Sequence, residues 1–244
     1  MNLPHTLVIV GPTASGKTTA SIELAKRLDG EIISADSRAI YLGLDLGSAK
    51  PTPEEQSGIP HYGIDLVNPD ERFTVADFQE YAYAKIRDIA GRGKLPILVG
   101  GSGLYVDAVI YNYNFSVQDK AQQFDRARGP EQNFYTVGIT VPRDELRDRI
   151  RARAHIMFDS GIEEETKKLV QQYPMGLQAM RSNIYPIIKR LLDGEITRDE
   201  AIELFITDDW QLARRQMTWF KRNPGIHWHE RADIVQAVLN HYNK

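Results

Sequence analysis

Short apolar runs alternate with longer stretches of helical periodicity in the first half of this chain. That alternation predicts a mainly parallel sheet covered by helices. Leu7-Val8-Ile9-Val10, Glu31–Ser34, Leu95–Val99 and Phe134–Thr140 read as strands. Ser15–Leu28 reads as a helix between the first two. Phe78, Ala82 and Ile86 recur at helical spacing after a candidate N-cap at Thr74, predicting a helix over Phe73–Gly91. From Arg143 onward the pattern is mostly helical, over about 143–159, 161–172, 184–193 and 198–222, with Gly161, Pro174 and Gly194 at or near the breaks. The polar stretch from Asn112 to Asn133 reads as a loop or short connector.

Composition narrows the class. The chain has 244 residues, 42% hydrophobic and 26% charged, enough for a sizeable core under a polar surface. No run approaches the roughly 18 apolar residues of a membrane span, and Met1–His5 lacks the basic start of a signal peptide. Cysteine is absent, which excludes disulfides, thiolate zinc sites and thiol nucleophiles. A cytoplasmic protein without a membrane partner is expected. The net charge of −3 argues against a strongly basic overall field. Local clusters remain: Arg143, Arg147, Arg149, Arg151 and Arg153 in one segment, and Arg214, Arg215, Lys221 and Arg222 in another. Each is either a solvated helix face or a phosphate-tracking surface.

The candidate chemistry starts directly after the first strand. Gly11-Pro12-Thr13-Ala14-Ser15-Gly16-Lys17-Thr18 fills every position of a G-x-x-x-x-G-K-[ST] phosphate loop. Its backbone N–H groups and the following helix N-terminus favour an anion. Lys17 would neutralise phosphate oxygens, and Thr18 would offer its hydroxyl to a phosphate-bound Mg²⁺. After the second strand comes Ser34-Ala35-Asp36-Ser37-Arg38, placing a carboxylate at the same sheet edge. Beside a diphosphate, Asp36 must bind metal, accept a proton or hold a polar substrate group, unless it merely caps a turn. The third strand ends in Gly100-Gly101-Ser102-Gly103 rather than an acid, which argues against nucleotide hydrolysis and leaves transfer chemistry.

These segments, with Gly47–Thr52, Pro60-His61, Ile64-Asp65, Phe73–Phe78 and Val99–Tyr105, occur in the order and spacing of the tRNA dimethylallyltransferases, the isopentenyl transferase family, which the chain resembles. The resemblance is nearly unbroken over 6–110. It resumes at Gly138–Leu169 and closes with Gln211–Trp219. It implies an α/β fold of the phosphate-loop NTPase type, a mainly parallel sheet flanked by helices with a helical C-terminal part. It divides the chain into a core at 1–110, a shortened insertion at 111–133, and the rest of the core with a basic helical region at 134–244.

The activity implied is transfer of a prenyl group from dimethylallyl diphosphate to the exocyclic amine of an adenine in the tRNA anticodon stem-loop, with Mg²⁺ as cofactor and a monomer as the expected state. Asp36 then matches the general base, and residues 11–18 hold the departing diphosphate. Arg181 aligns with an arginine that reaches the diphosphate. Ser37, Arg38 and Ala39 match tRNA-contacting positions. Ser102 stands where Thr is usual, and Arg214 and Arg215 would track phosphates.

The chain departs from the family in three further places. Most of the insertion is missing, Ile184-Tyr185-Pro186 replaces a Gly-Tyr-Arg stretch, and Asp209-Trp210 replaces a Thr-Arg pair. The alternatives are prenyl transfer to free AMP, ADP or ATP, a small-molecule kinase, and an inactive tRNA-binding relative. His61 and His155 are expected to be structural, and Trp219 to belong to the core. Trp210 and Trp228 are candidates for stacking on bases.

Overall fold

The computed structural model describes residues 3–115, 133–182 and 184–243. The predicted 112–133 connector therefore lies largely outside the described residues. A six-stranded sheet contains β1 (Thr6–Val10), β2 (Gly30–Ser34), β3 (His61–Tyr62), β4 (Leu95–Gly100), β5 (Phe134–Thr140) and β6 (His227–Glu230), in the order β3-β2-β4-β1-β5-β6. Every pairing is parallel, and central β1 sets Ile9 beside both Val99 and Val137.

Period-two alternation assigns the two faces. Leu7, Ile9, Ile32, Ile97 and Val137 pack under α1 (Lys17–Arg27) and a C-terminal helix at Ile234–Tyr242. Val8, Val10, Ile33 and Leu98 face the larger core. There they meet α3 (Val75–Gly91) and α4 (Gly103–Ile110), reached after the short α2 (Pro53–Gln56). The remaining helices are α5 (Arg143–Asp159), α6 (Ile162–Gln172), α7 (Ile184–Leu192), α8 (Arg198–Phe220) and, last, α9 (Ile234–Tyr242). Capping boxes start α3 and α8: the Thr74 and Thr197 hydroxyls accept from the Asp77 and Glu200 amides, and those carboxylates accept in return. No helix among the described residues is long and apolar enough to cross a membrane.

The predicted strands are all present. The hydrophobic pattern missed β3, β6, the short helices α2 and α4, and α9. β3 has two residues, and the β6 sequence His-Trp-His-Glu has no apolar run to read. Trp228, a candidate for stacking on bases, lies in β6, half-buried and packed against the core. β5 and β6 complete the same sheet as the first half, because β5 pairs directly with β1.

One glycine sets the approach of two strand ends. A Cβ on Gly100 would stand 2.1 Å from the Ala35 carbonyl oxygen, a backbone atom that cannot swing aside. Gly100→Ala must push β2 and β4 apart just before Asp36. It is expected to cost about 2–3 kcal/mol or more, read as a lowered denaturant midpoint. An unchanged midpoint would mean that the strand ends tolerate separation.

Candidate active site

In an open parallel sheet, side chains from several strand ends converge at the carboxyl edge. Here the turns after β1, β2 and β4 border a cleft of about 1140 Å³. Its opposite wall is helical. Phe205, Asp209, Leu212, Gln216 and Trp219 line it from α8 at alternating spacings of four and three, and Arg149 and Arg153 line it from α5 one turn apart.

The phosphate loop bends through left-handed backbone at Ala14 (φ 59°) and Gly16 (φ 91°). Gly16 caps α1 without a side-chain hydrogen bond, so the first amides of the helix are left for an external acceptor. The Ser15 hydroxyl is buried with no hydrogen-bond partner among the described residues. Lys17 Nζ donates to the Pro12 carbonyl at 2.7 Å. Burial pushes the Lys17 amine down to about 8; Asp36 and Asp209 act in the opposite direction, and Arg153 adds to the lowering. Three charged groups thus act on one amine. Arg149 braces the loop from outside, its Nε donating to the Ala14 carbonyl at 2.6 Å.

Asp36, just past β2, lines the same cleft as Lys17. Its Oδ1 accepts the amides of Arg38 at 2.8 Å and Ala39 at 3.3 Å, a local turn that fixes the carboxylate and leaves Oδ2 unused by the turn. Ser37, Arg38 and Ala39 line the same wall. Arg38 donates to the Gln178 carbonyl at 2.5 Å. Ser102 Oγ accepts the Ser37 amide at 3.0 Å and donates to Ser37 Oγ at 3.2 Å, tying the glycine turn to the Asp36 segment. Tyr105, buried nearby, has its phenol pushed well above the ordinary value, first by burial and then by the negative charge of its neighbours. It remains a neutral hydroxyl at physiological pH.

Sequence reading overlooked the residues of α8 that assemble this edge. Gln216 Oε1 accepts the Thr13 amide at 2.7 Å, and its Nε2 donates to the Gly101 carbonyl at 3.1 Å. One side chain therefore joins the phosphate loop to the glycine turn. Trp219 packs against the core, lines the cleft and donates its indole N–H to Asp107 at 2.8 Å. The helical stripe from 205 to 219 carries a signal for this wall, although nothing local says that it faces a phosphate loop. The 47–52 segment is held separately: Lys50 is buried between Asp45 (2.7 Å) and Asp65 (2.5 Å), and Glu165 accepts the amides of Asp45, Leu46 and Gly47.

Several expected residues lie elsewhere. Arg181 is exposed in a 3-10 turn (Ala179–Arg181) and does not line the cleft; Arg149 and Arg153 occupy that wall instead. Arg215 reaches the cleft rim, whereas Arg214 is exposed outside it. Trp210 is half-buried beneath the Arg147 guanidinium, 4.7 Å from the ring centroid. His61 borders the cleft, with its Nδ1 2.8 Å from the Ile59 carbonyl and its pKa lowered by burial, and His155 is exposed.

A divalent ion fits the loop in one way. The described residues contain no group of three or more His, Cys, Asp or Glu side chains that could cage a metal. Thr18 lines the cleft at the start of α1, beside the orphaned Ser15 hydroxyl. So sparse an oxygen set would suit a Mg²⁺ that takes its other ligands from phosphate and water.

The chain is similar to known proteins over most of its length. The family model described as IPP transferase matches residues 39–128 and 116–223. A tRNA dimethylallyltransferase of Acetivibrio thermocellus is 38% identical over 286 positions, covering 93% of this chain and 91% of that protein. That alignment is longer than the chain itself, so the relative carries sequence with no counterpart here. The crystal structure of the tRNA isopentenylpyrophosphate transferase of Bacillus halodurans superposes with a TM-score of 0.87 at 34% identity, covering 98% of this chain and 96% of that one. A eukaryotic dimethylallyltransferase acting on tRNA, at 20% identity, shares the fold with a TM-score of 0.79. The chain belongs to the IPP transferase family, that of the tRNA dimethylallyltransferases.

Proposed function

We propose that this chain transfers the dimethylallyl group of dimethylallyl diphosphate to the exocyclic amine of the adenine beside the anticodon of tRNA and releases pyrophosphate. The observation that carries the reading is that Asp36 and Lys17, from the turns after β2 and β1, line one cleft and stand close enough for the carboxylate to act on the amine's ionisation. A donor lying between them presents its diphosphate to the loop and its allylic carbon toward Asp36.

Asp36 takes the proton from the adenine amine as nitrogen bonds to the allylic carbon. The carbon–oxygen bond breaks, and its electron pair leaves on pyrophosphate. Lys17, the free amides of α1 and the Ser15 hydroxyl take up the charge that grows on the leaving group. Mg²⁺ bound with the donor, with Thr18 as its protein ligand, would supply further charge neutralisation. An adenine within a structured loop must leave its stack to reach Asp36, and Ser37, Arg38 and Ala39 border the wall where it would enter.

The discriminating measurement uses purified protein, labelled dimethylallyl diphosphate and Mg²⁺, with unmodified tRNA or AMP as acceptor. Transfer to tRNA in strong preference to AMP is expected. Preference for AMP, γ-phosphate transfer from ATP to a small acceptor, or no transfer at all would each replace this reading with one of its alternatives.

The exposed arginines give a second measurable consequence. Arg143, Arg147 and Arg151 are exposed on α5, and Arg214 and Arg215 are exposed in the C-terminal third of α8. If a few of them meet tRNA phosphates, affinity falls by about 10–100-fold between 50 and 200 mM salt. A flat salt response removes these residues from the interface.

A further inference from the structure

We infer that Arg153 is a second cation of the diphosphate site and that Asp209 is the positioning residue that holds it there. The inference rests on the diphosphate reading of the cleft.

Asp209 is buried in the middle of α8, with a side chain only 2% exposed, and it accepts from an Arg153 terminal nitrogen at 2.7 Å. Its partner is less enclosed: the Arg153 side chain is 29% exposed and lines the cleft. The Arg153 Nε–H is buried and has no hydrogen-bond partner among the described residues. An orphaned guanidinium N–H is costly, and a guanidinium presents its donors as a rigid fork suited to phosphate oxygens. The pair also stands with the phosphate loop around one cleft, which residues 13–18, Arg153 and Asp209 all line. Asp209 thus holds one terminal nitrogen of a cleft-lining guanidinium whose Nε–H has no protein acceptor among the described residues.

The placement also accounts for a departure in the sequence. Asp209 stands in the pair that replaces the family's Thr-Arg. A bare carboxylate so near a diphosphate would repel it; paired with Arg153, it adds no net charge. In this chain the arginine that faces the loop comes from α5, one turn beyond Arg149, while Arg181 stays exposed outside the cleft.

The test is calorimetric binding of inorganic pyrophosphate with Mg²⁺ to the wild type and to Arg153→Gln, Asp209→Asn, the double variant and Arg153→Lys. Arg153→Gln is expected to weaken binding about tenfold or more. Asp209→Asn should weaken it less, and should add nothing in the Arg153→Gln background, because it acts through that arginine. Arg153→Lys keeps the charge and the pairing with Asp209 but lacks the Nε–H. It should retain the wild-type melting temperature and still lose affinity, which separates binding from folding. Wild-type affinity in Arg153→Lys and Arg153→Gln overturns the assignment of Arg153. Equal losses from Asp209→Asn in both backgrounds overturn the positioning role. If the wild type itself fails to bind pyrophosphate, the diphosphate reading has failed rather than this inference.

Discussion

Asp36→Asn is expected to slow prenyl transfer by about 10²–10⁴-fold while pyrophosphate binding stays within about twofold of the wild type. Asparagine keeps a side-chain oxygen to accept the Arg38 and Ala39 amides, so the turn that Oδ1 now closes can survive. It cannot accept a proton from the attacking amine. Pyrophosphate needs the loop amides and Lys17, which the substitution leaves in place. The decisive comparison is single-turnover transfer to tRNA beside a pyrophosphate titration of the same sample. Joint loss of rate and binding would make Asp36 part of the loop's architecture or a metal ligand. An unchanged rate would end its assignment as base.

Lys17→Met carries the second large effect, expected to be about 10²–10³-fold in rate. The amine has one identified acceptor, the Pro12 carbonyl, and loses water to burial. Its pKa falls from 10.5 to about 8. Between those values the unfolded chain binds the proton and the folded chain does not, so the contribution of Lys17 to stability rises with pH across the window. Below about pH 8 the charged amine is held at a cost, which methionine removes. The ligand-free variant should therefore melt at or above the wild-type temperature at pH 7, despite being nearly inactive. Pyrophosphate reverses the balance because it needs the charged form. Wild-type affinity should fall relative to that of Lys17→Met as pH rises through about 8. Parallel pH profiles in the two proteins would show that this amine does not meet the diphosphate.

Both substitutions concern residues legible in the sequence. The phosphate loop is contiguous, because one strand–turn–helix supplies all of its backbone donors, and an eight-residue pattern can specify it. Asp36 could be read as well, since a residue just past a buried strand must lie at the sheet edge. The helical wall was harder. Gln216 and Asp209 come from a 23-residue helix about two hundred positions downstream of the loop. Their helical spacing tells which residues share a face but not what the face opposes. Arg149 and Arg153 showed the same limit: as members of a basic cluster they were indistinguishable from Arg147 and Arg151 until α5 was packed. β6 was invisible for a different reason, because it joins the sheet through backbone pairing with β5 while carrying His227, Trp228 and His229 in place of an apolar run.

The sequence by itself determined the parallel core, the phosphate loop and the acid at the end of β2. Each depends on contacts within one strand, one turn or one helix, where periodicity and residue type are sufficient. Only the tertiary structure decided which arginine faces the loop, that Gln216 ties the loop to the glycine turn, and that Asp209 lies beside Lys17. Those pairings link residues 115 to 203 positions apart in the chain. Their geometry follows from how α5 and α8 pack across the sheet edge, and no local pattern encodes that orientation.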